Sequence, residues 1–176
     1  YFTSYPAGNF DMPPGMLMSY AELQFILAEA AHKGYIDGSA EEFYYAGIYG
    51  SYAQFGDVLV ARVEEIFGEV MTNDSLATNF IENDVFGWDE ANAMELIGIQ
   101  KWVAMYDQGL QAFIEWRRIG YPVLTPAAEG MNNGKIPIRF PYPSDEYAVN
   151  PDGVNGGIGL LGGPDDLNTP VWWDVD

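Results

Sequence analysis

The helical period of this chain ends abruptly at one place, and the residues beyond it must be built differently. The run GLQAFIEWRR (109–118) carries apolar and aromatic side chains at helical spacing up to Trp116-Arg117-Arg118. A Gly120-Tyr121-Pro122 stop comes next, because glycine accepts the left-handed turn that closes a helix and proline cannot continue one. Beyond it stand Ile136-Pro137-Ile138-Arg139 and Tyr142-Pro143, in a segment dense in glycine and proline with no lasting period. The chain therefore divides into an incoming loop or linker over 1–18, a helical core over 19–119 and an irregular segment over 120–176. An irregular stretch that long is more credible packed on the helical core than as a domain of its own. Short strands are expected at Val123-Leu124 and over 136–139.

The helical part announces its starts. Ser19-Tyr20-Ala21-Glu22 reads as a capping box, the serine oxygen accepting from an early backbone N–H while Glu22 reaches back. The helix runs to a C-cap at Gly34, with Leu23, Ile26, Leu27 and Ala30 on one face. A second box, Ser39-Ala40-Glu41-Glu42, opens a helix to about Gln54, its apolar content supplied by Phe43, Ala46, Ile48 and Tyr49. Two capped helices joined by a short turn make an antiparallel hairpin of tetratricopeptide layout, with no second copy of the repeat. A third helix is expected over 58–71, a break at 72–75, a short helix to about Ile81 and a connector over 83–88. A long helix from Asp89 or Glu90 to Tyr106 is apolar on nearly all sides (Met94, Leu96, Ile97, Ile99, Trp102, Val103, Met105) and is expected to be central and buried. A kink or break at 107–109 separates it from the aromatic run over 109–118. The fold class is mostly α.

Charge limits the partners. Against 7 basic residues stand 26 acidic ones, a net charge of −19, which repels phosphate backbones and anionic lipid headgroups and excludes nucleic acid as a partner. Neutral ligands, cationic ligands or calcium fit such a surface. There is no cysteine, so disulfides, thiolate metal sites and a Cys nucleophile are excluded. His32 is the only histidine, which excludes multi-His zinc and iron sites and leaves a dipole-favoured position near a helix C-terminus.

Four groups of residues can carry chemistry, each with a plainer reading beside it. Arg117-Arg118 can hold a carboxylate or phosphate, or tie a helix end to carbonyls and nearby acids. The acidic pairs can supply a glycosidase with its two carboxylates, or simply form a solvated face. Pro151-Asp152-Gly153-Val154-Asn155-Gly156-Gly157, with Asp165 and Asp166, can bind calcium or be a turn cluster; the spacing is not that of an EF-hand. Tyr44, Tyr45, Tyr49, Tyr52 and Trp88 can stack on sugar rings or belong to the core. Trp88 is the preferred single position because it falls in a connector, with Tyr45 and Tyr49 beside it as ligand candidates.

The order of several blocks resembles a family. Tyr20-Ala21-Glu22 followed by Leu27-Ala28-Glu29-Ala30, then 40–50 with Tyr44, Gly47 and Ile48, then Ile99-Gln100-Lys101-Trp102 and Glu115-Trp116-Arg117-Arg118 through Pro122, is similar to the helices of SusD/RagB-like nutrient-binding outer-membrane lipoproteins of Bacteroidetes. Ile136-Pro137-Ile138-Arg139, Tyr142-Pro143, Glu146 with Asn150, and Val171-Trp172-Trp173-Asp174 resemble the late signature of that family. The resemblance implies a mostly helical protein, with tetratricopeptide-like pairs supporting an irregular ligand-facing region. It implies a glycan-binding, non-catalytic component of a polysaccharide-utilisation uptake system, at the extracellular face of the outer membrane. The partner it implies is a SusC-like TonB-dependent transporter, which the hairpin over 19–54 can face. Relatives are longer. The N-terminal part, with its lipid-bearing cysteine and much of the glycan site, is expected to lie outside this chain, and membrane association to depend on that anchor. Arg117, Arg118 and Tyr142 then become structural residues. The alternative is a helical protein-interaction scaffold whose ligand site lies in that N-terminal part.

Overall fold

The computed structural model describes residues 16–68, 70–83, 86–106, 108–130 and 132–174. Most of the expected incoming linker, up to Gly15, and Asp107 of the expected break lie outside them. The elements are α1 (Tyr20–His32), α2 (Ala40–Phe67), α3 (Asn73–Glu82), a 3-10 turn (Glu90–Asn92), α4 (Ala93–Ala104), α5 (Gly109–Ile119), α6 (Ser144–Val149) and α7 (Pro151–Leu161). They fall in two compact units that meet between Pro122 and Val123. Among the described residues there is no strand, so the strands expected after Gly120 are absent; Ile138 N–H donates to the Leu167 carbonyl instead (2.9 Å). No helix among the described residues is long and apolar enough to cross a membrane.

Serine caps start the first two helices as expected, but each closes with one arm. Ser19 Oγ accepts from Glu22 N–H (3.0 Å) and Ser39 Oγ from Glu42 N–H (3.2 Å). The Glu22 carboxylate does not return the bond to Ser19; the residue is 2% exposed and its Oε2 has no hydrogen-bond partner. At the far end of α1, Gly34 takes φ 71° and its N–H donates to Ala31, while Tyr35 N–H donates to Ala30, closing the helix in Schellman fashion one residue beyond the Lys33 cap.

The buried face of α1 differs from the expected one. It is Ala21, Phe25 and Ala28, with Glu22 and Glu29, whereas Leu23 is 40% exposed. Alanines on α1 and glycines on α2 let the two helices approach closely, with Phe25 and Tyr20 lying over the glycines. A Cβ on Gly47 would stand 2.6 Å from Phe25 Cε1, and one on Gly50 would stand 2.7 Å from Tyr20 Cδ1. Gly47→Ala separates two effects of opposite sign. Helix propensity alone predicts a gain of about 1 kcal/mol, whereas forcing a methyl against the Phe25 ring predicts a loss of about 1–3 kcal/mol. We expect the loss, read as a lower urea midpoint at constant m.

α2 runs unbroken through Gly56, so the two helices expected over 39–54 and 58–71 are one. Gly56 is an interior close-approach site: a Cβ there would stand 2.0 Å from Asn73 Cγ. The helix ends at Gly68, in the left-handed region at φ 68°. Thr72 and Ser75, expected as a break, are the reciprocal capping box that starts α3 (Ser75 N–H to Thr72 Oγ1, 3.1 Å; Thr72 N–H to Ser75 Oγ, 2.8 Å).

The core of the first unit joins Ala21, Phe25, Ala28, Tyr44, Ile48, Leu96, Ile97 and Ala104. α4 is central but not buried all round: Trp102 is 38% and Val103 49% exposed, while Gln100 and Lys101 are buried. Its Gly98 leaves room for Tyr121, whose Cβ would stand 2.7 Å from a Cβ added there. In the second unit, the glycine-rich stretch expected as a turn cluster is helix α7. Asn150 Oδ1 caps it from Gly153 N–H (3.3 Å), Pro151 occupies the first turn, and Gly162 closes it at φ 71°.

Candidate functional site

The aromatic candidates divide between core and rim. Tyr44 is fully buried, its hydroxyl donating to the Phe86 carbonyl (2.8 Å), and burial pushes its phenol well above the usual tyrosine value, with Tyr45 adding to the rise. Burial also raises the Tyr52 phenol. Trp88 is half-buried on this cluster. Its ring lies 5.3 Å from Tyr44 at 50° and edge-on to His32 at 6.5 Å and 80°. Its backbone N–H donates to the Tyr45 hydroxyl (2.9 Å) and its indole Nε1–H to Glu90 Oε2 (3.2 Å). Tyr45 and Trp88 therefore meet. Tyr49 is turned elsewhere on α2: it is 37% exposed and its hydroxyl hydrogen-bonds Thr78 Oγ1 on α3 (3.0 Å).

His32 is more than a terminal histidine. Its Nδ1 lies 2.8 Å from Glu90 Oε1, across 58 residues of sequence. No local pattern announces that partnership; the signal in the sequence is only the position of Glu90 just after a connector tryptophan, beside the Asp89 cap of the 3-10 turn.

The Arg118 guanidinium is consumed internally. Nη1 donates to Glu29 Oε1 (2.7 Å) and Nη2 to Glu29 Oε2; Nε and Nη2 also reach Glu115 Oε2 (3.1 Å) and Oε1 (2.6 Å). Lys33 joins Glu29 (2.6 Å) and Lys101 joins Glu115 (2.9 Å), the latter pair only 4% and 9% exposed. Three of the seven cations of the chain thus neutralise two carboxylates where α1, α4 and α5 converge. Arg118 hydrogen bonds, helped by Lys33 and opposed by burial, hold Glu29 down to about 2. Burial works against ionised Glu115, but Arg118 and Lys101 outweigh it and lower its value. Arg117 lies over the Phe113 ring at 5.7 Å.

The second unit has its own clasp. Asp165 accepts from Arg139 (2.7 Å), Tyr142 N–H (2.9 Å) and the Tyr147 hydroxyl (2.6 Å), and Arg139 also lies 5.7 Å from the Tyr142 ring centre. Burial would raise Asp165, yet these donors together lower it. Asp166 Oδ1 accepts from Asn168 N–H, Thr169 N–H (both 2.8 Å) and Thr169 Oγ1 (2.9 Å), and the Asn168 bond leads in lowering its value. The Tyr142 ring closes on α7, where a Cβ on Gly157 would stand 2.4 Å from its hydroxyl. Asp152 is exposed in the first turn of α7. The calcium set of Asp152, Asp165 and Asp166 is not assembled: among the described residues no three acidic or histidine side chains are grouped to hold a metal ion. Both carboxylate oxygens of Asp165 and Oδ1 of Asp166 accept from protein donors instead.

Known proteins share this architecture. The profile of the SusD-like family, described as starch-binding and associating with the outer membrane, matches residues 4–143. A chitin-binding protein of known structure is 31% identical over 89% of this chain and 33% of its own, with a TM-score of 0.71. A chitin-binding SusD homologue from Flavobacterium johnsoniae is 32% identical over 91% of this chain and 36% of its own, with a TM-score of 0.68. A SusD homologue from Bacteroides fragilis is 26% identical over 89% and 34%, with a TM-score of 0.71. The chain thus spans about a third of the length of these solved relatives. No curated protein matches it.

Proposed function

This chain belongs to the SusD-like family, and we propose that it serves as part of a cell-surface glycan-binding component of an outer-membrane uptake system. It works beside a SusC-like TonB-dependent transporter at the extracellular face and binds without cleaving. The observation that carries the reading is the 31% and 32% identity to two chitin-binding proteins across nine-tenths of this chain. Chitin-type oligosaccharides are therefore the first ligand class. Their N-acetylglucosamine rings present apolar C–H faces to aromatic side chains, and the rim ring of this chain is Trp88, backed by the Tyr44 ring and held at its backbone N–H by the Tyr45 hydroxyl, with Tyr49 turned toward α3.

Calorimetric titration with chitohexaose is the test, with maltohexaose as the comparison and a reducing-end assay run alongside. Binding with no new reducing ends supports the proposal; new reducing ends would convert the protein into a hydrolase. We expect Trp88→Ala to weaken chitohexaose about tenfold, since a lost stacking contact is worth about 0.5–1.5 kcal/mol beyond its area.

A second reading has an observation of its own. Tyr45, Tyr49 and Trp88 all direct their polar atoms at scaffold groups. If the titration is silent and the transporter is still captured, this chain is the helical scaffold of the component, and the glycan is held elsewhere.

A further inference from the structure

We infer that Glu90 is the positioning residue for the Trp88 indole and that His32 keeps Glu90 in place; the inference rests on the reading of Trp88 as a ligand ring. The Glu90 carboxylate divides its oxygens between two elements. Oε2 accepts from the indole Nε1–H of Trp88 (3.2 Å), and Oε1 meets Nδ1 of His32 at the end of α1 (2.8 Å).

The other restraints on Trp88 leave one freedom. The bond from its backbone N–H to Tyr45 fixes the main chain, and the Tyr44 ring at 5.3 Å and the edge-on His32 ring at 6.5 Å support the indole. None of these decides which edge of the indole turns outward, and that edge is set by the acceptor for Nε1–H. Stacking requires the ring to be held in one orientation before the sugar arrives, because ordering a free ring on binding subtracts from affinity. Stability is not a sufficient reason for this arrangement. The Glu90 side chain is 71% exposed, and an ion pair in that much water contributes little to folding. Glu90 lies outside the core cluster, so its removal leaves the packing of α1, α2 and α4 intact.

The test uses the full chain and chitohexaose. Glu90→Ala removes both bonds; Glu90→Gln keeps a carbonyl for Nε1–H and an amide for His32. Each is also made with Trp88→Phe, so that the emission due to Trp88 is obtained by difference. We expect Glu90→Ala to shift that emission and increase its quenching by acrylamide, to weaken chitohexaose about fivefold, and to leave the urea midpoint unchanged. Glu90→Gln should restore emission and affinity. Unchanged Trp88 emission in Glu90→Ala overturns the positioning role. So does a changed emission with full affinity, if Trp88→Ala does lose affinity. If Trp88→Ala binds normally while Glu90→Ala still alters the emission, Glu90 orients the indole and the ligand reading of Trp88 is what fails.

Discussion

Glu115→Leu is expected to destabilise the first unit by about 3–5 kcal/mol, the cost of leaving a buried cation without its counter-ion. The Lys101 side chain is 4% exposed, and Glu115, itself 9% exposed, receives its ammonium at 2.9 Å. Leucine replaces the carboxylate with similar bulk but accepts nothing. Lys101 must then drag in water or be expelled, and either route disturbs α4 beside Leu96, Ile97 and Ala104. The second substitution Lys101→Met distinguishes this cause from lost packing. With both groups gone no ammonium is left buried, and Arg118, which loses Glu115, keeps Glu29, so the double variant should recover a large part of the loss, since an apolar pair often matches a buried ion pair in stability. Urea unfolding of the four proteins in the cycle supplies the coupling. If Lys101→Met fails to rescue Glu115→Leu, the ammonium is not what makes the single variant unstable.

Much of the fold was legible because its signals are local. Ser19 and Ser39 cap the helices that they precede, and Gly120 ends α5 in the left-handed conformation expected of a glycine stop. Sequence and fold part company where one residue type serves two purposes. The stretch between Gln54 and residue 58 looks like a break in sequence, but in the fold its Gly56 lies inside α2 and is the space into which Asn73 fits. Thr72 and Ser75 end one periodic run and begin the next, and only the reciprocal bonds between them decide that they are a start. For α7 the start and stop signals, Asn150-Pro151 and Gly162, stand in the sequence, yet the glycines between them weigh against a helix. Packing of Val154, 3% exposed, compensates for that poor propensity.

The candidate site was less legible, because its contacts are distant in sequence. Trp88 could be singled out as an aromatic in a connector. Its hold on Tyr45 spans 43 residues, and the His32–Glu90 bond spans 58. Arg117 and Arg118 look equivalent as a pair. They point to different surroundings because successive residues on a helix lie about 100° apart. One turns to Glu29 and Glu115, the other to the Phe113 ring.

Arg118→Ala is expected to remove about 2–3 kcal/mol near neutral pH and to flatten the acid dependence of what remains. The loss falls below the range for fully buried pairs because the Arg118 side chain is 44% exposed, so water screens part of each interaction. Lys33 and Lys101 also remain to meet the orphaned carboxylates. The sign of the pH effect comes from Glu29. Its folded value is lowered from 4.5 to about 2, first by Arg118. A carboxylate depressed in the folded state contributes stability that is fully present above its unfolded value and is lost as pH falls through the folded one. The native protein should therefore lose stability between about pH 4.5 and 2, with Glu115, also lowered, adding to the slope in the same direction. Without the guanidinium, Glu29 titrates closer to its unfolded value, so the variant has less to lose over that window. The two stability curves should run apart above about pH 5 and converge as acid protonates the carboxylates. Arg118→Lys restores one charge but not the fork that grips both acids, and it should recover less than half of the loss. Urea unfolding at a series of pH values reads all three curves, and parallel curves for native protein and Arg118→Ala would show that the guanidinium does not set the ionisation of Glu29.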